Sequence, residues 1–144
     1  FILPKPLAKE KNFNFSFSGI KTHVNLLTKK NDVNNKFICD LSASFQKTIS
    51  VILIGKIKSA LEIMKTKNIK IKSLSVVGGV SNNNYIRKKL KNFAEYEKLK
   101  IYYPIKEMMG DNAAMIGWAC INNINERKSD INFKANPRMK IGTS

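Results

Sequence analysis

A chain of 144 residues, 43% hydrophobic and 25% charged, has the size and composition of one globular domain, which excludes a disordered tail. Its 26 basic against 10 acidic residues give a formal charge of +16. Such a surface attracts polyanions, RNA or DNA above all, although lysine replacing other polar residues under A/T-rich codon bias explains the same count.

In chain order, residues 1–15 carry Pro4 and Pro6 and read as an irregular or extended lead-in. The opening Phe1-Ile2-Leu3-Pro4-Lys5-Pro6 reads as the middle of a longer protein. A short helix is expected after Ser16–Thr22, to about Leu27, and the polar, Asn-rich stretch Lys29–Lys36 is expected to be a loop. From Phe37 to Thr66, apolar residues including Ile38, Leu41, Phe45, Ile49 and Ile52 recur in steps of three and four. That spacing predicts a long amphipathic helix burying one stripe, with Gly55 marking a bend or a close packing contact.

Ile69 to Val77 is β-branched or aliphatic at most positions and stops at Gly78-Gly79, which predicts a strand. Asn82 to about Glu95 reads as a helix with Ile86, Leu90 and Phe93 on one side, and Leu99–Tyr103 as a short strand closed by Pro104. Asp111 opens a last helix with Met115, Ile116 and Ala119 as its apolar face, before a polar tail from Glu126. Alternating strands and helices imply an α/β layered fold. Two strands are too few for a stable covered sheet, so an unpaired edge and uncovered apolar surface are expected.

Cys39 and Cys120 stand apart from any CxxC or Cys/His grouping, which predicts two buried thiols with no disulfide framework and no zinc. The longest apolar run, Val51 to Ile54, is far below the roughly 20 residues that span a bilayer. No charged-then-apolar leader opens the chain, and the expectation is a cytoplasmic protein without membrane contact. His23 is the only histidine; alone it cannot build a metal site, and a structural or surface role is expected. No HExxH, GxSxG or Cys/His signature supports protease chemistry.

Two turns carry chemistry. The strand ending in Val76-Val77-Gly78-Gly79-Val80-Ser81-Asn82-Asn83 delivers paired glycines to a helix start, where bare backbone and free N–H groups can meet a polar or anionic ligand. It is neither a GxGxxG fingerprint nor a GxxxxGK[ST] loop. A tight turn capped by Ser81 or Asn82 is the commoner reason for such a glycine pair. In Met109-Gly110-Asp111-Asn112-Ala113, Asp111 is either a helix N-cap or a carboxylate for a divalent metal or a nucleotide.

Together these segments resemble one family. Ser16-Phe17-Ser18-Gly19-Ile20-Lys21-Thr22 is similar to its SFSGLKT segment, and Ala43-Ser44-Phe45-Gln46 to its ASFQ helix. Gly78-Gly79-Val80-Ser81-Asn82-Asn83 with Arg87 resembles GGVSANxxLR, Asp111-Asn112-Ala113-Ala114-Met115-Ile116 resembles DNxAMIA, and Pro137-Arg138-Met139 resembles a terminal PRW. The family is TsaD, once labelled O-sialoglycoprotein endopeptidase, and the resemblance covers essentially the whole chain as the C-terminal part of a longer protein.

The resemblance implies an actin-like ATPase fold (ASKHA, RNase H-like), of which residues 1–144 would be mostly the C-terminal lobe. It implies transfer of a threonylcarbamoyl group from threonylcarbamoyl-adenylate to N6 of the adenosine 3′ of the tRNA anticodon. It further implies that Gly78, Gly79 and Asn83 line the adenylate pocket. Asp111 would be one ligand of a divalent metal, iron by resemblance, with zinc or magnesium as alternatives. TsaB- and TsaE-like proteins are the implied partners. The family's HxxxH ligand pair and phosphate-contacting glycine-rich segment belong to its N-terminal half and are absent from this chain. Met109-Gly110 stand where the family has Cys-Thr, Gly117 for Ala and Met139 for Trp. Two readings remain: a transferase piece that needs that other half, or a non-catalytic actin-like module binding nucleotide, RNA or a partner.

Overall fold

The computed structural model describes residues 1–6, 13–110 and 112–124. The chain divides into two compact units, residues 1–110 and 111–144. In the first, the helix α1 (Ser18–Lys30) is followed by the long helix α2 (Asn35–Thr66). The strand β1 (Ser73–Ser75), a 3-10 turn (Gly79–Asn82), the helix α3 (Asn84–Tyr96), the strand β2 (Lys100–Tyr102) and a second 3-10 turn (Lys106–Met108) complete it. The helix α4 (Ala113–Asn122) lies in the second unit.

The long helix bears out the three-and-four spacing in part: Ile38 and Phe45, expected on the buried stripe, are exposed, and Phe37 is buried in their stead. Its apolar stripe buries Phe37, Leu41, Ile49 and Ile52, and α3 packs against it through Ile86 and Leu90. Ile20 from α1 and Leu3 from the lead-in close the same core. The chain approaches itself closely at Gly19, where an added Cβ would stand 3.2 Å from Pro6 Cγ. Gly55 neither interrupts α2 nor makes a tight contact: a Cβ there would meet nothing within 4 Å.

Several boundaries differ from the sequence reading. The first helix runs on to Lys30, because Lys29 and Lys30 suit the negative end of its dipole and Asn31 Nδ2 donates to Leu27 O at 2.8 Å. The loop shrinks accordingly to residues 31–34, and Asn34 caps α2 by accepting from Phe37 N at 2.9 Å. The strand expected over residues 69–77 is three residues long, since its partner is equally short. The two pair in parallel with Ser73 opposite Lys100 and Ser75 opposite Tyr102, and one further bond runs from Val76 N to Tyr102 O.

Opposed residues in a parallel ladder share a face. Leu74 and Ile101 turn inward, while Ser73, Ser75, Lys100 and Tyr102 are exposed. Among the described residues the sheet has two strands. Val77, Val80, Tyr102 and Ile105 remain exposed around it, as the scarcity of strands led us to expect.

Both cysteines are exposed free thiols, contrary to the expected burial. Cys39 lies on the solvent side of α2, and no residue of α4, where Cys120 sits, is buried. The α4 sequence Ala113-Ala114-Met115-Ile116-Gly117-Trp118-Ala119-Cys120-Ile121 is apolar on every side, so its expected apolar face is not distinguished from the rest. By length and composition α2 could also cross a membrane, a criterion that short apolar runs do not register and that the core helix of a soluble protein also meets.

Candidate functional site

The twin-glycine turn follows β1 and leads into α3. Gly78 adopts φ 88° and ψ 162°, a region open essentially to glycine alone. From there the chain closes a 3-10 turn, with Ser81 N donating to Gly78 O at 3.0 Å and Asn83 N to Val80 O at 3.1 Å. A Cβ on Gly78 or Gly79 would meet nothing within 4 Å, so the backbone of both stands open to a ligand. The two glycines thus differ. Gly78→Ala is expected to destabilise the fold by about 1–3 kcal/mol through backbone strain, whereas Gly79→Ala leaves the midpoint of urea unfolding nearly unchanged. Equal midpoints for the two variants would contradict the strain at Gly78.

The cap of α3 is Asn83, not Ser81 or Asn82 as the sequence suggested, and the α-helix starts at Asn84. Asn83 Oδ1 accepts from Ile86 N at 3.0 Å, which fixes the orientation of the amide. Its Nδ2 is left as the outward donor and reaches Gln46 Oε1 on α2 at 3.5 Å, a long contact. The side chain of Asn83 therefore serves two purposes at once, capping the helix with its oxygen and presenting N–H at an exposed turn. Ser81 is buried beneath, its hydroxyl without a hydrogen-bond partner among the described residues.

Sequence reasoning quoted two residues here, Gln46 and Arg87, without foreseeing their contacts. Gln46 lies 37 positions from Asn83; its one signal was the Ala43-Ser44-Phe45-Gln46 wording. Arg87 stacks over the Tyr103 ring at 4.3 Å, and Tyr103 Oη donates to Arg87 O at 3.3 Å. This clasp ties the first turn of α3 to the end of β2. Burial pushes the Tyr103 hydroxyl above its ordinary value of 10.0, and the Arg87 charge opposes that shift.

Asp111 lies outside the described residues, as does Pro137-Arg138-Met139. The cap of α4 is its neighbour Asn112, whose Oδ1 accepts from Met115 N at 2.9 Å. His23 is half-buried on α1. Among the described residues no group of three or more His, Cys, Asp or Glu side chains could hold a metal ion.

The sequence profile described as "TsaD: tRNA N6-adenosine threonylcarbamoyltransferase" matches residues 1–118. This chain belongs to the TsaD family. A relative named tRNA N6-adenosine threonylcarbamoyltransferase from Wolbachia sp. subsp. Brugia malayi (strain TRS) is 40% identical over 144 residues, covering 99% of this chain and 42% of that protein. Proteins of the same name from Wolbachia pipientis wMel and Ehrlichia canis (strain Jake) are each 37% identical, over 98% of this chain and 42% and 41% of their own lengths. The chain thus spans about two fifths of the length of the curated relatives it matches. For a TsaD protein, the described part of the chain supplies no complete metal-ligand set.

Proposed function

We propose that residues 1–144 form the C-terminal lobe of a tRNA N6-adenosine threonylcarbamoyltransferase with an actin-like (ASKHA, RNase H-like) fold, working with an N-terminal half that this chain does not include. In this reading Gly78 and Gly79 cradle threonylcarbamoyl-adenylate, and Asn83 Nδ2 donates to it. N6 of the adenosine 3′ of the tRNA anticodon attacks the carbamoyl carbon. The bond from that carbon to the phosphate oxygen breaks, adenylate leaves, and N6 gives up a proton. The turn's role is to bind and orient the adenylate. Asp111 would supply one carboxylate to a divalent metal, iron before zinc or magnesium, with the other ligands drawn from the N-terminal half. Held there, such a metal would supply Lewis-acid chemistry. TsaB- and TsaE-like proteins are the proposed partners, and the cytoplasm the compartment.

The observation that carries this reading is the pairing of a glycine-only conformation at Gly78 with a cap at Asn83 that uses its side-chain oxygen and keeps Nδ2 at the exposed turn, where its contact to Gln46 is long, 3.5 Å. The test joins the chain to an N-terminal half carrying the HxxxH pair, adds the partner proteins, and measures threonylcarbamoyladenosine in tRNA. Modified adenosine is expected. Its absence from a folded, complete assembly would refute the assignment.

A further inference from the structure

The N-terminal end of the sheet, opposite the twin-glycine turn, holds a cavity of about 250 Å³. Leu61, Ile69 and Leu99 contribute to its floor, and Lys65, Lys70 and Lys98 to its rim. Residues 65–72 carry four lysines (Lys65, Lys67, Lys70 and Lys72) and residues 98–100 two more (Lys98 and Lys100), all exposed, with no carboxylate in either segment. Hydrogen bonding brings the segments together, Lys100 N donating to Lys72 O at 3.0 Å. Of the acids nearest in sequence, Glu97, which also lines the cavity, pairs with Lys65 at 3.6 Å and Glu95 with Lys91 at 3.9 Å, and Glu62 precedes Lys65 by one helical turn, so lysines still outnumber carboxylates here. Tyr96 ends α3 beside this cluster and is 82% exposed.

Part of this charge serves the fold. Lys65 sits in the last turn of α2, where a cation suits the helix dipole, and Lys67 and Lys98 lie just past the ends of α2 and α3. Lys70, Lys72 and Lys100 lie beyond both helices and have no such role. Like charges so close repel one another, and a polyanion relieves that repulsion while releasing its own counterions.

We propose that this lysine-rimmed end is a docking surface for the phosphate backbone of tRNA, with Tyr96 stacking on an unpaired base. The proposal rests on the tRNA-modifying function proposed above and adds a contact remote from the adenylate turn. The 13 residues of α3 separate the two ends by about 20 Å at 1.5 Å per residue. That is roughly six stacked nucleotides at about 3.4 Å each, so one RNA can reach both.

The test measures tRNA binding to the 144-residue chain across a salt series. The variant Lys70→Gln/Lys72→Gln/Lys98→Gln/Lys100→Gln leaves both ion pairs intact. Its charge-matched control is Lys29→Gln/Lys30→Gln/Lys36→Gln/Lys58→Gln, at four exposed positions away from the cavity. The first variant is expected to lose affinity about tenfold or more and to flatten the salt dependence by about one unit of slope for each phosphate no longer neutralised. The control loses far less. Tyr96→Ala is expected to weaken binding roughly fivefold or more, with Tyr96→Phe restoring it. Equal affinity of the two quadruple variants overturns the surface. So does lysine-dependent binding to phosphatidylglycerol vesicles without binding to tRNA. A wild-type chain that binds adenylate but no tRNA overturns the surface together with the tRNA reading, whereas a wild-type chain that binds tRNA equally well with and without the four lysines overturns the surface alone.

Discussion

Asn83→Asp is expected to keep the stability of the chain and to lose at least about tenfold in affinity for adenylate, the worth of one well-placed hydrogen bond of about 1.5 kcal/mol. The side-chain oxygen that accepts from Ile86 N survives the change. Asp caps a helix as well as Asn does, and its charge suits the positive helix end. What disappears is the Nδ2 donor, replaced by an anion that an anionic adenylate would meet at the proposed site. Asn83→Ala should differ, losing about 1 kcal/mol of stability along with the donor. Thermal unfolding and calorimetric titration with AMP separate the two effects. An Asp variant that binds AMP as tightly as the parent would show that Asn83 is a cap and nothing more.

Leu90→Ala carries the largest expected cost to the fold. Leu90 is 1% exposed and joins α3 to the core against α2. Removing a buried leucine side chain costs about 2–5 kcal/mol, the spread reflecting how far the cavity collapses. Against a typical total of about 5–15 kcal/mol, that is a large fraction of the stability. Urea unfolding should show a lowered midpoint, and the N-terminus of α3, with Asn83 as its cap, should loosen with it. Ile116→Ala on α4, 69% exposed, is expected to change stability by less than about 0.5 kcal/mol. Comparable losses in both variants would mean that the core does not lie between α2 and α3.

The features legible in the sequence are those set by local chemistry. The spacing of Leu41, Ile49 and Ile52 announced α2, and the glycine pair announced a turn that only glycine can make at Gly78. Features set by distant partners were not legible. The length of β1 depends on β2, 25 residues further on at Lys100, because a ladder ends where either strand does. Three asparagines in a row, Asn82 to Asn84, can each cap a helix, and the packing of Ile86 and Leu90 against α2 selects Asn83. Gln46 enters the site only because α2 passes beside the turn. Arg87, a cation within the motif wording, is engaged by Tyr103. The cysteines were misread because unclustered thiols are usually buried, whereas here they occupy positions off the buried stripe.

The same distinction applies to the metal. A metal-ligand set gathers side chains from distant segments, and this chain offers Asp111 in the sequence with no cluster among its described residues. The proposed binding of an adenylate does not depend on that set, since Gly78, Gly79 and Asn83 belong to one contiguous segment.

The central claim is that this segment binds an adenylate. Titrating AMP into the ¹⁵N-labelled chain tests it most directly: the backbone amides of Gly78 and Gly79 and the side-chain amide of Asn83 should shift together and saturate at one affinity. Saturable shifts elsewhere on the chain, with those three signals unmoved, would contradict it.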